Sequence, residues 1–277
     1  MLISYNGVLT HADDKLFNAS SRIYKYGDGF FESIKIINKK PQLFDLHYDR
    51  ILRASKLFHL PLNEKWSKNY LEEHLTWLCM KNGWVNARCR IIFYRDCDGF
   101  YMPERDKTSF IIEMSESTPN YPFNDIGFKL GAYGQILKAS NFVSFFKPLS
   151  AIQYVLAGIY ARDNKFDSVI LFNEFGNVAE TFNANIFMIQ GDDVITPPLS
   201  EYCLDGVMRQ HIINSLKNLG CSIIEMPISI EDLKNAEEVF LCNATRGIIW
   251  IENFEDSYYS YTKTFQIHQD IFGGVNR

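Results

Sequence analysis

Several kinds of segment are missing from this chain, and each absence removes a class of protein. The six cysteines among 277 residues form no Cys-x-x-Cys pair and no spacing with histidine that suits zinc, so no metal site and no disulfide framework are predicted. No apolar run approaches the ~20 residues of a membrane-spanning helix. Lys and Arg are scattered over a chain of net charge −5, which argues against a nucleic-acid partner.

The composition that remains is that of an ordinary globular protein. Hydrophobic residues make up 47% and charged residues 22% of the chain, which is enough for a full core in one large domain or two small ones. The first residues, MLISYNGVLTHADD, contain neither a basic leader nor an apolar segment. Together with the bland interpretation of the cysteines as reduced thiols, this predicts a cytoplasmic protein without a membrane anchor.

Residues 1–118 have the pattern of an α+β domain. YNGVL, ESIKII, RCRIIFYR and SFIIEM are predicted strands, since they are rich in β-branched and aromatic residues. DLHYDRILRASKLF has apolar residues at helical spacing, with Asp45 as the expected N-cap. A second helix is predicted from about residue 64 to residue 81.

A second α/β domain follows a proline-containing linker. Pro119 and Pro122 disfavour both helix and sheet, so residues 119–133 are interpreted as the interdomain linker and the first strand of the second domain. Residues 134–277 form that domain. It is predicted to contain a helix at 151–164, the buried strand SVILF, a hairpin around Gly191 and a helix closed by Gly220.

Lys147 and Glu180 are the residues that indicate a chemistry. Lys147 precedes Pro148, which is expected to end a strand, and Ser150 is expected to cap the following helix. A lysine can hold the aldehyde of pyridoxal 5'-phosphate (PLP) while a carboxylate faces its pyridine nitrogen, so the pair suits a PLP enzyme. Lys138 is an equally good candidate lysine by composition. Thr181, Asn183 and Asn185 are expected to hydrogen-bond the Glu180 carboxylate.

A phosphate group needs free amides and a fixed cation, and the chain offers both. Val207 and Met208 follow Gly206 at the start of a predicted helix, where amides have no intrahelical acceptor. Arg50 is the candidate guanidinium, and it shares a helix face with His47. The alternative for Arg50 is a surface ion pair with Asp49.

A polar turn between two apolar runs, VFLCNATRGIIWI, provides further groups that could meet a ligand. Ala244 and Thr245 could present backbone amides and a hydroxyl, while Arg246 could bind a substrate carboxylate. The alternative is a hairpin tip in solvent.

These motifs together resemble the class IV (fold type IV) PLP enzymes, a family of branched-chain and D-amino-acid aminotransferases and 4-amino-4-deoxychorismate lyases. The resemblance spans nearly the whole chain and rests on seven ordered segments: SRIYKYGDGFFESIKI, FDLHYDRILRAS, KPLSAIQYVLA, VAETFNANIF, ITPPL, DGVMRQ and EEVFLCNATRGI. It implies two α/β domains with the cofactor at their interface, in a homodimer.

The resemblance also implies a role for each site residue. Lys147 would form the internal Schiff base with PLP. The remaining cofactor contacts would come from Arg50, Glu180, Asn185, Val207, Met208, Ala244 and Thr245. Substrate would meet Tyr26 and Phe31, with Arg95 or Arg246 on its carboxylate.

Two activities of the family stay open at this point. GVMRQ and LCNAT resemble the lyases, which release pyruvate and 4-aminobenzoate. Branched-chain aminotransferases tend to carry a tyrosine where this chain has Ile152, and a GTA turn where it has NAT. The hypothesis is therefore a lyase, with a branched-chain or D-amino-acid aminotransferase as the alternative and a non-catalytic binding protein of the same fold as a lesser one.

Overall fold

The computed structural model describes residues 1–273, and contacts within it divide the chain into two units. Unit 1 comprises Met1–Asn120 and Phe146–Ser150, and unit 2 comprises Tyr121–Phe145 and the chain from Ala151 onward. Each unit combines a sheet with helices, so the predicted α/β fold class is confirmed. Residues 146–150 thus group with unit 1, whereas the sequence analysis assigns them to the second domain.

Unit 1 is built on an antiparallel six-stranded sheet in the order β2-β1-β6-β5-β3-β4. The amphipathic helix α2 buries Phe44, Ile51 and Ala54. The elements are β1 (Leu2–Tyr5), β2 (Val8–His11), α1 (Arg22–Tyr26), β3 (Gly29–Ile37), β4 (Lys40–Pro41), α2 (Phe44–Leu57), α3 (Lys68–Lys81), β5 (Ala87–Arg95) and β6 (Thr108–Glu116).

Three local predictions for unit 1 are wrong. YNGVL is not one strand, because Asn6 and Gly7 both have positive φ and form the two-residue turn of the β1–β2 hairpin. Asp45 lies in the first turn of α2, and the N-cap is Leu43 in the left-handed region. The second helix begins at Lys68 rather than near residue 64, since the Ser67 side chain accepts from the Tyr70 amide and caps it there.

Unit 2 is built on a mixed sheet of nine strands within the described residues, β12-β11-β10-β13-β14-β7-β8-β9, with β15 paired to β14. The pairs β11–β12, β14–β7 and β7–β8 are parallel. Its elements are β7 (Phe128–Lys138), α4 (Ile152–Asp163), β8 (Ser168–Asn173), β9 (Val178–Thr181), β10 (Asn185–Gln190), β11 (Asp193–Thr196), α5 (Val207–Asn218), β12 (Ser222–Glu225), α6 (Ile230–Lys234), β13 (Glu238–Asn243), β14 (Gly247–Phe254), β15 (Ser257–Tyr258) and α7 (Thr262–Phe272).

Most element predictions for unit 2 are confirmed. Helix α4 and strand β8 lie where periodicity places them, and β10 and β11 form the predicted hairpin with Gly191 at positive φ. Helix α5 ends at Asn218, and Gly220 follows it at positive φ. Within residues 1–273, no helix has the length and apolar character needed to cross a bilayer.

The segment around Lys147 joins unit 1 through main-chain hydrogen bonds to the start of β3. The Phe31 amide donates to the Lys147 carbonyl at 2.9 Å, and the Leu149 amide donates to the Gly29 carbonyl at 3.0 Å. Two expectations about this segment are wrong. Strand β7 already ends at Lys138, so Pro148 does not end it, and the residue before α4 is Ala151 rather than Ser150, without a side-chain cap.

Candidate functional site

Lys147 lies beside an aromatic ring in unit 1. Its Nζ is 5.4 Å from the centre of the Phe31 ring, and its side chain is half-buried. The cationic charge of Lys147 also contributes to the electrostatics of His47. Backbone pairing with β3 therefore places Lys147 beside Phe31, and its charge reaches His47 on α2.

Arg50 belongs to a buried charge network that sequence reasoning missed. Its Nε and Nη2 each donate to Glu32 at 2.7 Å, and His47 Nδ1 lies 2.7 Å from the same carboxylate. The alternative pairing with Asp49 at the surface is wrong, because Arg50 is 2% exposed. Burial alone would raise the pKa of Glu32, but the charge of Arg50 and the hydrogen bonds from His47 and Arg50 lower it to about 2.

His47 stays neutral in this network. Burial lowers its pKa more than its bond with Glu32 raises it, and the cations Arg50 and Lys147 lower it further. Its Nε2 is buried and has no hydrogen-bond partner among residues 1–273. The network therefore holds one fixed carboxylate and one fixed guanidinium on the side of unit 1 that carries Lys147.

Arg90 is a second cation at Phe31, and no sequence motif marks it. Its guanidinium carbon lies 3.9 Å from the centre of the Phe31 ring, because Arg90 on β5 faces Ser33 and is diagonal to Phe31. The Arg90 Nε is buried without a hydrogen-bond partner among residues 1–273, and its distance to the nearest Glu113 oxygen is 3.9 Å. A guanidinium whose buried donor makes a long ion pair and no hydrogen bond is suited to bind an anion.

The other predicted substrate residues of unit 1 have structural partners. Tyr26 contacts Tyr101 with ring centres 5.4 Å apart and ring planes tilted by 39°, and the Arg22 guanidinium lies over the Tyr26 ring. Arg95, which the sequence analysis names as a candidate for binding the substrate carboxylate, is buried, with 6% of its surface exposed. Its Nε, Nη1 and Nη2 donate within unit 1, to Asp28, Asp106 and the carbonyls of His59 and Phe58.

Glu180 is the centre of the candidate site in unit 2. It is 2% exposed at the end of β9, and its Oε1 is 2.7 Å from Lys138 Nζ and 3.0 Å from the Tyr154 hydroxyl. Its Oε2 accepts from the Leu204 amide at 2.8 Å. Lys138 Nζ and the Tyr154 hydroxyl are themselves 2.6 Å apart. Lys138 at the end of β7 and Tyr154 on α4 thus both donate to one buried carboxylate.

Burial alone would lower the pKa of Lys138, but the Glu180 charge and the Tyr154 phenol raise it. Lys138 is therefore an ammonium rather than a free amine. Burial and the same carboxylate raise the pKa of Tyr154, so its hydroxyl stays protonated and donates.

The predicted polar neighbours of Glu180 do not bind it. Thr181 donates from Oγ1 to the Ala184 carbonyl, and the Asn183 side chain accepts from Ser168. Asn185 donates from Nδ2 to the Leu204 carbonyl. The prediction that these side chains hydrogen-bond Glu180 is wrong. Successive residues of a strand point to opposite faces of the sheet, so side chains next to Glu180 in the sequence do not lie next to its carboxylate.

Asn185 instead holds the loop that precedes α5. A Cβ on Gly206 would overlap with its Oδ1, so the loop and this amide are in close contact. Val207 and Met208 follow at the helix start, each 1% exposed, and the first intrahelical bond runs from the Gln210 amide to the Gly206 carbonyl. The first-turn amides therefore have no acceptor inside the helix. Because Leu204 also binds Glu180, the carboxylate and this helix end share one loop.

The turn between β13 and β14 is organised by Asn243. Its Oδ1 accepts from the amides of Thr245 and Arg246 and from the Thr245 hydroxyl, at 2.9 to 3.1 Å. The Ala244 carbonyl accepts from Tyr121. Arg246 is exposed, with its guanidinium carbon 5.4 Å from the centre of the Phe128 ring.

Known proteins resemble this chain over most of its length. Residues 29–254 match the model of the amino-transferase class IV family. An aminodeoxychorismate lyase of Bacillus subtilis is 26% identical over 93% of this chain and 88% of its own length. A branched-chain-amino-acid aminotransferase of Escherichia coli is 27% identical over 89% and 82%. A branched-chain aminotransferase from Thermoproteus uzoniensis superimposes with a TM-score of 0.88, at 22% identity, over 97% of this chain and 92% of that one.

The chain therefore belongs to the amino-transferase class IV family. This is a family of PLP-dependent enzymes, and its relatives are named as lyases and aminotransferases at similar identities. The residues of unit 2 fit the cofactor, because this unit has a buried carboxylate and a helix amino terminus on one loop. Among the described residues, no cluster of three or more His, Cys, Asp or Glu could hold a metal.

Proposed function

We propose that this chain is a PLP-dependent lyase that converts 4-amino-4-deoxychorismate into 4-aminobenzoate and pyruvate. The observation that carries the cofactor assignment is the shared loop of unit 2, where the Leu204 amide binds Glu180 and Val207 and Met208 begin α5. An ionised carboxylate suits a protonated ring nitrogen, and helix-end amides suit a phosphate. Asn185 supports the same loop.

We assign the covalent attachment of the cofactor to Lys147 rather than to Lys138. Lys138 forms an ion pair with Glu180, the residue that pairs with the ring nitrogen in this proposal. The aldehyde is attached to the ring carbon opposite that nitrogen, so one amine cannot serve both positions. A protonated ammonium is also a poor nucleophile. Arg50 adds the guanidinium for the phosphate, with Ala244 and Thr245 as further contacts from the turn.

Lys147 would carry one proton in two transfers during the reaction. PLP, when bound, withdraws electrons from the substrate carbon that carries the amine. Lys147 takes the proton from this carbon, the bond between the neighbouring carbon and the enolpyruvyl oxygen breaks, and the ring becomes aromatic. The lysine then returns the proton to the departing fragment, which leaves as pyruvate.

Sequence features favour the lyase over the aminotransferase. Ile152 stands where branched-chain aminotransferases tend to carry a tyrosine, and in this structure it is 66% exposed at the first turn of α4. The turn NAT is closed by the Asn243 side chain, which a glycine at that position could not supply. An aminotransferase acting on branched-chain or D-amino acids is the second candidate, because a relative named as a branched-chain-amino-acid aminotransferase is equally similar.

Arg90 is our candidate for the substrate carboxylate, with Tyr26 and Phe31 on the same side of the substrate. Unlike Arg95, it has a buried donor without a hydrogen-bond partner among residues 1–273, and it shares Phe31 with Lys147. Arg246 is the remaining alternative, since it is exposed on the turn of unit 2.

The attachment is tested by reducing the PLP-loaded protein with borohydride and mapping its peptides by mass spectrometry. We expect the added pyridoxyl mass on Lys147. Mass on Lys138 would overturn the assignment. Lys147→Ala should lower turnover of aminodeoxychorismate by about 10²–10⁴-fold or more, as loss of a general acid–base group does. Lys217→Ala on the far end of α5 is the control and should not change it.

The activity is tested by supplying aminodeoxychorismate and, separately, amino acids with 2-oxoglutarate. Release of fluorescent 4-aminobenzoate supports the lyase. Transfer of the amino group with no aminobenzoate would show an aminotransferase instead. A protein that takes up no PLP would support the third hypothesis, a binding protein without chemistry.

We also infer a cytoplasmic homodimer. The six cysteines are all free thiols in the described chain, which suits a reducing compartment. The apolar face that suggests a second copy lies on α4.

A further inference from the structure

One ring nitrogen of His47 is an unused hydrogen-bond acceptor in the interior of unit 1. His47 is buried, and its Nδ1 lies 2.7 Å from the Glu32 carboxylate. A pKa of about 2 keeps this carboxylate ionised, so it accepts the hydrogen bond and the proton of the neutral imidazole lies on Nδ1. The buried Nε2 therefore carries a lone pair, and it has no hydrogen-bond partner among residues 1–273.

This acceptor belongs to the same network as the cation that we assign to the cofactor phosphate. His47 precedes Arg50 by three residues, so both side chains lie on one face of α2, and both contact Glu32. Three charged groups act on the imidazole. Glu32 on β3 favours its protonated form, whereas Arg50 on α2 and Lys147 in the segment 146–150 disfavour it. An anion that balances the charge of Arg50 therefore favours the protonated form.

Burial does not oppose this change further. Desolvation is the largest of the effects that lower the pKa of His47, but the residue is excluded from water before any ligand arrives. Binding of a ligand therefore alters only the charges around the imidazole. A phosphate group carries nearly two negative charges at neutral pH, and their effect is strong in a site of low dielectric.

We propose that His47 couples cofactor binding to proton uptake: when a phosphate group binds at Arg50, His47 takes up one proton at Nε2. The inference rests on the proposed function and deepens it, because it concerns how unit 1 receives the phosphate. The proton comes from the solvent and converts the neutral imidazole into an imidazolium. Nε2 then becomes a donor, and no other bond forms or breaks.

Linkage gives the sign of the resulting pH dependence. His47 binds its proton more tightly in the complex than in the unliganded protein, so the proton contributes to affinity for the phosphate compound at low pH. This contribution is lost as the pH rises from the pKa of unliganded His47 to that of the complex. Within this range the affinity should fall by up to about tenfold per pH unit relative to a variant without the imidazole.

Pyridoxine 5'-phosphate and pyridoxine are the matched probes. Neither has an aldehyde that could bond to Lys147, and they differ only in the phosphate. Calorimetric titration in two buffers of different ionisation enthalpy measures the protons taken up on binding. At about pH 6.5, wild type should take up more protons with pyridoxine 5'-phosphate than His47→Asn does, by up to one proton. The two proteins should agree with pyridoxine.

The variants are chosen to separate titration from packing. His47→Asn keeps an amide donor near the position of Nδ1 and removes the titratable ring. His11→Gln, which changes an exposed histidine on β2, is the control and should match the wild type. If His47→Asn does not fold, His47→Gln takes its place with the same expected result.

Nitrogen NMR of protein labelled with ¹⁵N in its histidines observes the group itself. The chain has six histidines, and the His47 signals are those that disappear in the variant. We expect a neutral ring with its proton on Nδ1 before pyridoxine 5'-phosphate is added, and an imidazolium afterwards.

A His47 that stays neutral in the complex, or equal proton uptake by wild type and the variant, overturns the inference. PLP on Lys147 in the borohydride experiment would then leave the proposed function intact. A protein that binds neither PLP nor pyridoxine 5'-phosphate overturns both.

Discussion

Glu32 illustrates how one buried carboxylate can organise a cationic site. A guanidinium and an imidazole both converge on it, and its pKa of about 2 keeps it ionised at any physiological pH. Arg50 is thereby held in one orientation at low entropic cost when it meets an anion. The arginine assigned to the phosphate therefore depends on a residue in the middle of β3.

The Glu32 network should make stability depend on acid. Because the pKa is about 2 in the folded protein and 4.5 in the reference state, the carboxylate stabilises the fold fully above pH 4.5 and loses this contribution as the pH falls toward 2. Between pH 6 and pH 3 the loss is about 2 kcal/mol, at about 1.4 kcal/mol per pH unit below 4.5. Urea unfolding at the two pH values measures it.

The variant that tests this prediction is Glu32→Gln. Its control is Glu73→Gln, which changes an exposed glutamate on α3. Glu32→Gln should lower the free energy of unfolding at pH 7 by about 3–5 kcal/mol, because Arg50 is left as a buried charge. It should also flatten the acid dependence. If the two variants respond to acid alike, Glu32 is not the group that titrates.

At the scale of elements, the loop before α5 connects the main parts of unit 2. The Leu204 amide binds Glu180 from β9, and the Leu204 carbonyl accepts from Asn185 on β10. Helix α5 begins directly after this loop. Any shift of the loop therefore moves both the Leu204 amide that binds Glu180 and the amides in the first turn of α5. We expect cofactor binding to respond to the loop even where no ligand contact is altered.

Gly206→Ala should weaken PLP binding. The added Cβ would overlap with Asn185 Oδ1, so the loop or the amide must move, at a cost of about 1–3 kcal/mol for overpacking. Dissociation constants from PLP titration should rise about tenfold or more. Gly134→Ala is the control, because a Cβ there meets nothing within 4 Å. Equal affinities of the two variants would show that the loop does not position the site.

The same elements show how far the sequence can be interpreted. Periodicity located α4, β8 and the Gly191 hairpin because those signals are local. It could not pair Glu180 with Lys138 and Tyr154, since these residues come from three different elements and only the fold brings them together. Glu32 was missed for the same reason: a glutamate within a strand-like run has no local pattern that marks it as the partner of Arg50.

At the scale of the whole molecule, helix α4 has an exposed apolar face that requires an explanation. Ile152, Val155, Leu156 and Ile159 follow helical i, i+3, i+4, i+7 spacing, and each is between 38% and 66% exposed. A continuous face of this kind is uncommon on a protein that stays monomeric. A second copy of the chain is the partner that we propose, because a symmetric pair would bury the same face on both subunits.

Val155→Asp combined with Ile159→Asp should therefore convert the protein to a monomer. Two carboxylates on a face that is buried in the dimer would have to be desolvated there, whereas they stay hydrated in the monomer. Sedimentation velocity at micromolar concentration should show the wild type at twice the mass of the double variant. Phe175→Asp, which changes a residue that is 66% exposed on the β8–β9 turn, is the control and should remain dimeric. A wild-type protein that sediments as a monomer would contradict the proposal, and a double variant that stays dimeric would place the interface on another face.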